Sequence, residues 1–304
     1  MENCKNYEGE LSFDLPVGFH LGNEYVRAIE LLKTNGIAEE VFGKKLPEKP
    51  YTWIGNVIAI ATGKIGNIPI GLSVRDEYLK TGVVNIPSAI MRMPLADANT
   101  MLVEIHRRVW QNIIPKQEIL CKYCAKSIIT DVNLSKIEMS AEYKEFLEQQ
   151  GGNPLDFIVV NLKDGFIAND WLKEFKKGED FDYLKDINFN RMIFRVPTLG
   201  DAIRNEKLAV SDNLKFWRKL ALDCLVSIEQ IKEDKKLTDF PTDQLVFVGS
   251  KLFSSYLSSN DLREVRDCIR EDCPTLPFDY TETCPCDRQR EIPYAMEATN
   301  FFSV

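Results

Sequence analysis

Histidine is almost missing from this chain: His20 and His106 are the only two among 304 residues. That leaves too few imidazoles for a histidine-rich metal centre. Positive charge is also short, with 38 Lys and Arg against 46 Asp and Glu, for a net charge of −8. A surface built mainly to grip nucleic-acid phosphates would carry the opposite sign. Long apolar runs are absent too. A membrane helix needs roughly 18 such residues, and the best stretch, Trp53 to Thr62, falls far short. The chain opens Met-Glu-Asn-Cys-Lys-Asn-Tyr-Glu-Gly-Glu, without an apolar segment of signal-peptide length, so the expected location is the cytoplasm. Neither Gly-x-Gly-x-x-Gly nor Gly-x-x-x-x-Gly-Lys-Ser/Thr occurs, which removes phosphate-loop nucleotide binding, and there is no Gly-x-Ser-x-Gly elbow. The acidic pairs Glu39/Glu40 and Glu179/Asp180 lie in charged stretches and read as solvated surface. His106, beside Arg107 and Arg108, and His20, in a glycine-flanked turn, read as packed or surface residues. No nucleophile, base and oxyanion donors assemble, so a non-enzymatic protein is expected.

What is present is an ordinary globular composition, 44% hydrophobic and 28% charged, which excludes a disordered chain. The length suits about two domains. The outlying feature is eight cysteines, at 4, 121, 124, 224, 268, 273, 284 and 286. In a reducing compartment, cysteine clusters more often mean metal than disulfides. Only Cys121-Lys-Tyr-Cys124 and Cys284-Pro-Cys286 are tightly spaced. A zinc ribbon needs two such turns, each presenting two thiolates to one tetrahedral ion. The expectation is therefore one structural zinc held by Cys121, Cys124, Cys284 and Cys286, although the second turn is one residue short and carries a proline. The alternative is a cytoplasmic thiol-redox or metal-handling protein using Cys121/Cys124. A thioredoxin-type site wants its Cys-x-x-Cys at a helix N-terminus, whereas an alternating, polar strand pattern follows here. Cys224 lies on an apolar helix face and reads as core, and Cys268 falls in a helical pattern.

Along the chain, Leu15-Pro16-Val17-Gly18 reads as a turn, and Val26, Ile29, Leu31 and Leu32 as one face of a helix stopped by Asn35-Gly36. The glycine-punctuated, β-branched run from Trp53 reads as short strands. Leu95, Ala98, Leu102, Ile105, Val109 and Ile113 predict a helix from Pro94 to Ile114. A strand leads into the Cys121 turn and another leads out. A helix is expected at 141–149 and strands near 156–168. Further on, Met192 to Val196 reads as a strand before a turn and a helix start. Helices follow at Leu214–Ile231, capped by Asp212, at Thr242–Tyr256, and at Asn260–Glu271, capped by Asn260. The result is an α+β fold, helical regions with short strands and a zinc-ribbon-like element made of two cysteine knuckles. It divides into an N-terminal α+β domain, 1–150, and a mainly helical C-terminal domain, 151–304. There is no solenoid repeat, but one loose two-fold echo. Each half ends its helical region with a strand, a cysteine knuckle and a polar strand.

The order of these motifs resembles the baseplate hub assembly proteins, or assembly chaperones, of T-even-like contractile-tailed phages and related injection systems. The matching segments are Leu15-Pro16-Val17-Gly18 and Pro94-Leu95-Ala96-Asp97 with Leu102, Ile105 and Arg107. After them come the Cys121 turn leading to Asp131-Val132-Asn133-Leu134-Ser135, and Phe194-Arg195-Val196-Pro197-Thr198-Leu199-Gly200-Asp201. The end matches through Cys284-Pro-Cys286, Ile292-Pro293 and Asn300-Phe301-Phe302. The resemblance spans about residue 11 to the end, with 139–185 looking like an insertion. It implies a non-enzymatic protein that helps assemble, or forms part of, the hub end of a tail, with tail or baseplate hub proteins as partners. Nucleic acid, membrane and small-molecule substrates are not expected. Phe301 and Phe302 are the candidate partner-binding anchor, since aromatic anchors often dominate interface energy; packing onto the chain's own core is the other reading.

Overall fold

A computed structural model describes residues 11–44, 46–110, 113–121, 124–139, 141–150, 155–167, 188–230, 235–236, 249–272, 278–283 and 291–294. Two units form. One takes Met1–Pro154, Thr198–Glu206 and Pro274–Val304, and the other takes Leu155–Pro197 and Lys207–Cys273.

In the first unit, β1 (Ser12–Leu21) turns at Gly22, which has a positive φ of 65°, into β2 (Glu24–Leu31). The expected helix over Val26–Leu32 is thus a strand. Its apolar spacing mixes intervals of three and two, and pairing on both sides decides in favour of extension. Asn35 then opens a helix instead of closing one: its side chain accepts from Ala38 N (3.1 Å) at the start of α1 (Gly36–Gly43). The Trp53 run also departs from expectation, forming helix α2 (Pro50–Ala61) before β3 (Thr62–Ile65) and β4 (Ile68–Pro69). Trp53, Ile54, Val57, Ile58, Ala59, Ile60 and Ala61 are all buried. With no polar stripe, the helical period is hidden, and Pro50 in the first turn is the better marker. The sheet is antiparallel throughout, in the order β1-β2-β3-β4.

Helices α3 (Gly71–Thr81) and α4 (Ser88–Met91) precede α5 (Leu95–Ile105), every residue of which is buried. The helix expected to reach Ile114 ends in a π-helical turn, His106–Trp110. From Ile113 the chain is already strand β5 (Ile113–Leu120), paired with β6 (Ser127–Asn133) as expected. A 3₁₀ turn (Leu134–Lys136), β7 (Glu138–Met139) and α6 (Ala141–Gln150) follow.

The second unit is built on β8 (Phe157–Ile167) and β9 (Asn188–Arg195). Helix α7 (Leu199–Ser211) comes next in the chain, its first residues belonging to the first unit. Helix α8 (Asn213–Cys224) is capped by Asp212, as expected, but stops at Cys224 because β10 (Leu225–Gln230) begins there. With β11 (Lys235–Lys236), the antiparallel order is β8-β9-β10-β11. Of the expected helix 242–256, residues 242–248 lie outside the described residues, and Leu252–Tyr256 is a π-helical turn. Helix α9 (Ser259–Asp272) starts one residue before Asn260, and its entry is held by Ser258, whose Oγ accepts from Asp261 N (3.1 Å).

Finally β12 (Phe278–Thr283) pairs with β13 (Glu291–Tyr294) and with β7, so the C-terminal hairpin completes a three-stranded sheet of the first unit. Phe42, Ile54 and Ile58 lie wholly inside the first unit, and Phe189, Phe194 and Phe216 inside the second. Each such side chain contributes about 1.5–3 kcal/mol by leaving water. Helices with antiparallel sheets make the expected α+β class. Among the described residues, no helix is long and apolar enough to cross a membrane.

Candidate functional site

Cys121 and Cys124 sit in the connection between β5 and β6, directly after the Leu120↔Ser127 pair. Two backbone bonds shape the turn: Ala125 N donates to Cys121 O (2.8 Å) and Cys121 N donates to Lys126 O (3.0 Å). Closing it puts Ala125 at φ 53°, a left-handed conformation that costs a residue with a Cβ about 1–2 kcal/mol. Cys121 is buried and Cys124 half-buried. Cys121 and Cys124 have the Cys-x-x-Cys spacing common among zinc-ligating cysteines. The following segment is strand, not helix, so the turn lacks the helix N-terminus that activates a thioredoxin-type thiol.

Cys284 and Cys286 lie outside the described residues, as do Phe301 and Phe302. The strands flanking Cys284 and Cys286 are described. Thr283 pairs with Glu291, so 284–290 is the connection between β12 and β13. Phe278 pairs with Met139 and Asp279 with Glu138, antiparallel. Strand β12 therefore runs antiparallel to β7, which follows the first cysteine turn and β6 in the chain. Among the described residues, no group of three or more His, Cys, Asp and Glu could hold a metal ion.

The polar residues of the other motifs hold backbone in place. Leu15-Pro16-Val17-Gly18 is not a free turn but a bulge inside β1, where the register with β2 slips between Asp14 and Phe19. Asp97, the third residue of α5 and fully buried, accepts from Val17 N (3.0 Å) and Gly18 N (2.8 Å). Arg27 Nε (2.7 Å) and the Tyr25 hydroxyl donate to the Leu15 and Val17 carbonyls. Gly18 has φ 80°, and a Cβ there would stand 2.5 Å from Arg27 Cγ, so only glycine fits. Burial pushes the Asp97 carboxyl up to about 7, against the pull of the two amide donors and of Arg27. Sequence reasoning picked out both motifs but not their union; an Asp in the otherwise apolar Leu95-Ala96-Asp97-Ala98 was the available signal.

The Thr198-Leu199-Gly200-Asp201 segment is a reciprocal helix cap. Thr198 N donates to Asp201 Oδ2 (3.0 Å) and Asp201 N to Thr198 Oγ1 (3.3 Å). Leu199 N donates to Met93 O (2.9 Å), seating the cap on the start of α5. A Cβ at Gly200 would lie 2.8 Å from Met91 O. His106 is buried at the end of α5, and Glu104 pairs with Arg107 and Arg108. Tyr78 is raised above the usual phenol range by its hydrogen bond to Glu40 (2.7 Å). No family model, curated protein or solved structure matches this chain.

Proposed function

We propose that this chain is a non-enzymatic, zinc-stapled protein that helps assemble, or forms part of, the baseplate hub of a phage-like contractile tail, working in the host cytoplasm during assembly. The observation that carries the metal reading is the hairpin-tip turn of Cys121 and Cys124, with its left-handed Ala125. A second observation supports a shared ion: β12, which leads to Cys284, pairs antiparallel with β7, downstream of that turn. One zinc would take Cys121, Cys124, Cys284 and Cys286, and would supply a structural cross-link rather than chemistry. The non-enzymatic reading is supported by Asp97 and Asp201, whose carboxylates are committed to backbone amides in buried positions. Phe301 and Phe302 are the anchor expected to fill a partner pocket.

The test is co-purification of the tagged chain with the hub and tail-tube proteins of a phage-like contractile tail. Retention of a hub protein that is lost on Phe301→Ala/Phe302→Ala supports the reading. Absence of any tail protein from the complex contradicts it. A strand follows Cys124 where a redox site wants a helix, so thiol-disulfide exchange remains only as the outcome in which purified protein is metal-free and its Cys121 thiol is acidic.

A further inference from the structure

The two four-stranded sheets share more than their order. In the first, Leu31 opposes Thr62, Glu30 opposes Lys64 and Ile29 opposes Ile65, with Gly63 skipped. In the second, Phe194 opposes Leu225, Ile193 opposes Ser227 and Met192 opposes Ile228, with Val226 skipped. The differences 194 − 31, 225 − 62 and 228 − 65 are all 163. The same shift carries α2 (50–61) onto α8 (213–224), and the start of α1 at 36 onto the start of α7 at 199.

The hairpins correspond too. Asp14↔Ala28 and Phe19↔Val26 in β1–β2 become Asn161↔Arg191 and Phe166↔Phe189 in β8–β9, the second strand at the same offset of 163 and the first at 147, with the slip between corresponding pairs. Each bulge has a positive-φ glycine, Gly18 at 80° and Gly165 at 65°. Each is held by the aspartate at the third position of a helix. Asp97 of α5 accepts from Val17 and Gly18, and Asp261 of α9 accepts from Lys163 N (2.8 Å) and Asp164 N (3.1 Å). The one-residue difference has a chemical reason: Pro16, the counterpart of Lys163, has no N–H to give. After each of these helices comes a hairpin, β5–β6 or β12–β13, and in the sequence Cys121 and Cys284 also stand 163 apart.

Over 26–65 and 189–228 only Lys44/Lys207 and Ile65/Ile228 are identical. Burial survives where identity does not. Trp53/Phe216, Ile54/Trp217, Val57/Leu220, Ile58/Ala221 and Ala61/Cys224 are buried in both copies. A residue skipped at the same place, α2 and α8 of equal length and a carboxylate-held bulge in each hairpin are not dictated by general sheet physics. Bulges are local insertions that must be encoded one by one.

We infer that the chain is a tandem duplication of one module, in which Asp261 is the second copy's counterpart of Asp97. Each aspartate positions the bulged edge strand of its own module. The duplication does not depend on the metal reading: a zinc-free protein would sink that reading and leave this one standing. NMR on the unsubstituted chain tests the registers directly. Cross-strand contacts are expected for Leu31/Thr62 with Glu30/Lys64, and for Phe194/Leu225 with Ile193/Ser227; a different register in either sheet overturns the inference. Hydrogen exchange then tests the aspartates. Asp97→Asn is expected to speed exchange of the Val17 and Gly18 amides roughly tenfold or more, leaving Lys163 and Asp164 unchanged, and Asp261→Asn to do the reverse. If either substitution leaves its own bulge amides as protected as before, the equivalence is wrong.

Discussion

Asp97 concentrates much of this protein's chemistry in one side chain. A carboxylate sealed in a helix interior survives because two amide donors meet it, yet burial still pushes its pKa to about 7. Its unfolded value is near 3.8, so between those limits the folded state holds a proton that the unfolded state has released. Stability from this group is therefore greatest below about pH 4, falls as pH rises toward 7, and levels off above. The loss across the window is on the order of 4 kcal/mol. Urea midpoints taken from pH 4 to 8 for the natural chain and for Asp97→Asn should show this slope in the first and not in the second. Parallel curves would mean that Asp97 does not titrate in the folded chain. This residue was half legible in the sequence. Its place in an apolar helical run was the available signal, but its partners are main-chain amides some 80 positions away, which no side-chain pattern encodes.

Among the elements, the start of α7 depends on two local devices that substitution can separate. Thr198→Ala should cost about 1 kcal/mol by removing a hydroxyl that accepts from Asp201 N. Gly200→Ala should cost more, about 1–3 kcal/mol, because the new methyl meets the Met91 carbonyl, which cannot swing away as a side-chain end can. Chemical denaturation of the two variants checks the order; a Gly200→Ala protein as stable as the natural one would show that α7 does not lie so close. The same scale explains which elements could be read. The strands around Cys121, the capped helix from Asp212 and the strand before Pro197 carry clear alternation or caps, and they stand where expected. Helix α2 was hidden by being buried on all sides, and β2 by an apolar spacing that fits neither period cleanly. The boundary between α8 and β10 was invisible because the apolar residues continue across it, through Leu225, Val226 and Ile228, while the backbone changes from helix to strand.

On the scale of the whole molecule, the run of helical and strand patterns was enough for the α+β class, but not for how the chain is apportioned. The C-terminal hairpin belongs with the N-terminal unit through the Phe278↔Met139 and Asp279↔Glu138 pairs, a pairing between segments about 140 positions apart. The loose echo between the halves was legible; the module behind it was not, since register and burial were kept while residue identity was lost. The zinc reading belongs at this scale, because its four cysteines come from two hairpins far apart in the chain. The most direct test is the zinc content of the purified chain, alone and with Cys121→Ser or Cys286→Ser. One zinc per chain, lost entirely with either substitution, is the predicted result. Zinc retained in the Cys286→Ser protein, or absent from the natural one, would contradict a single ion stapling the two hairpins.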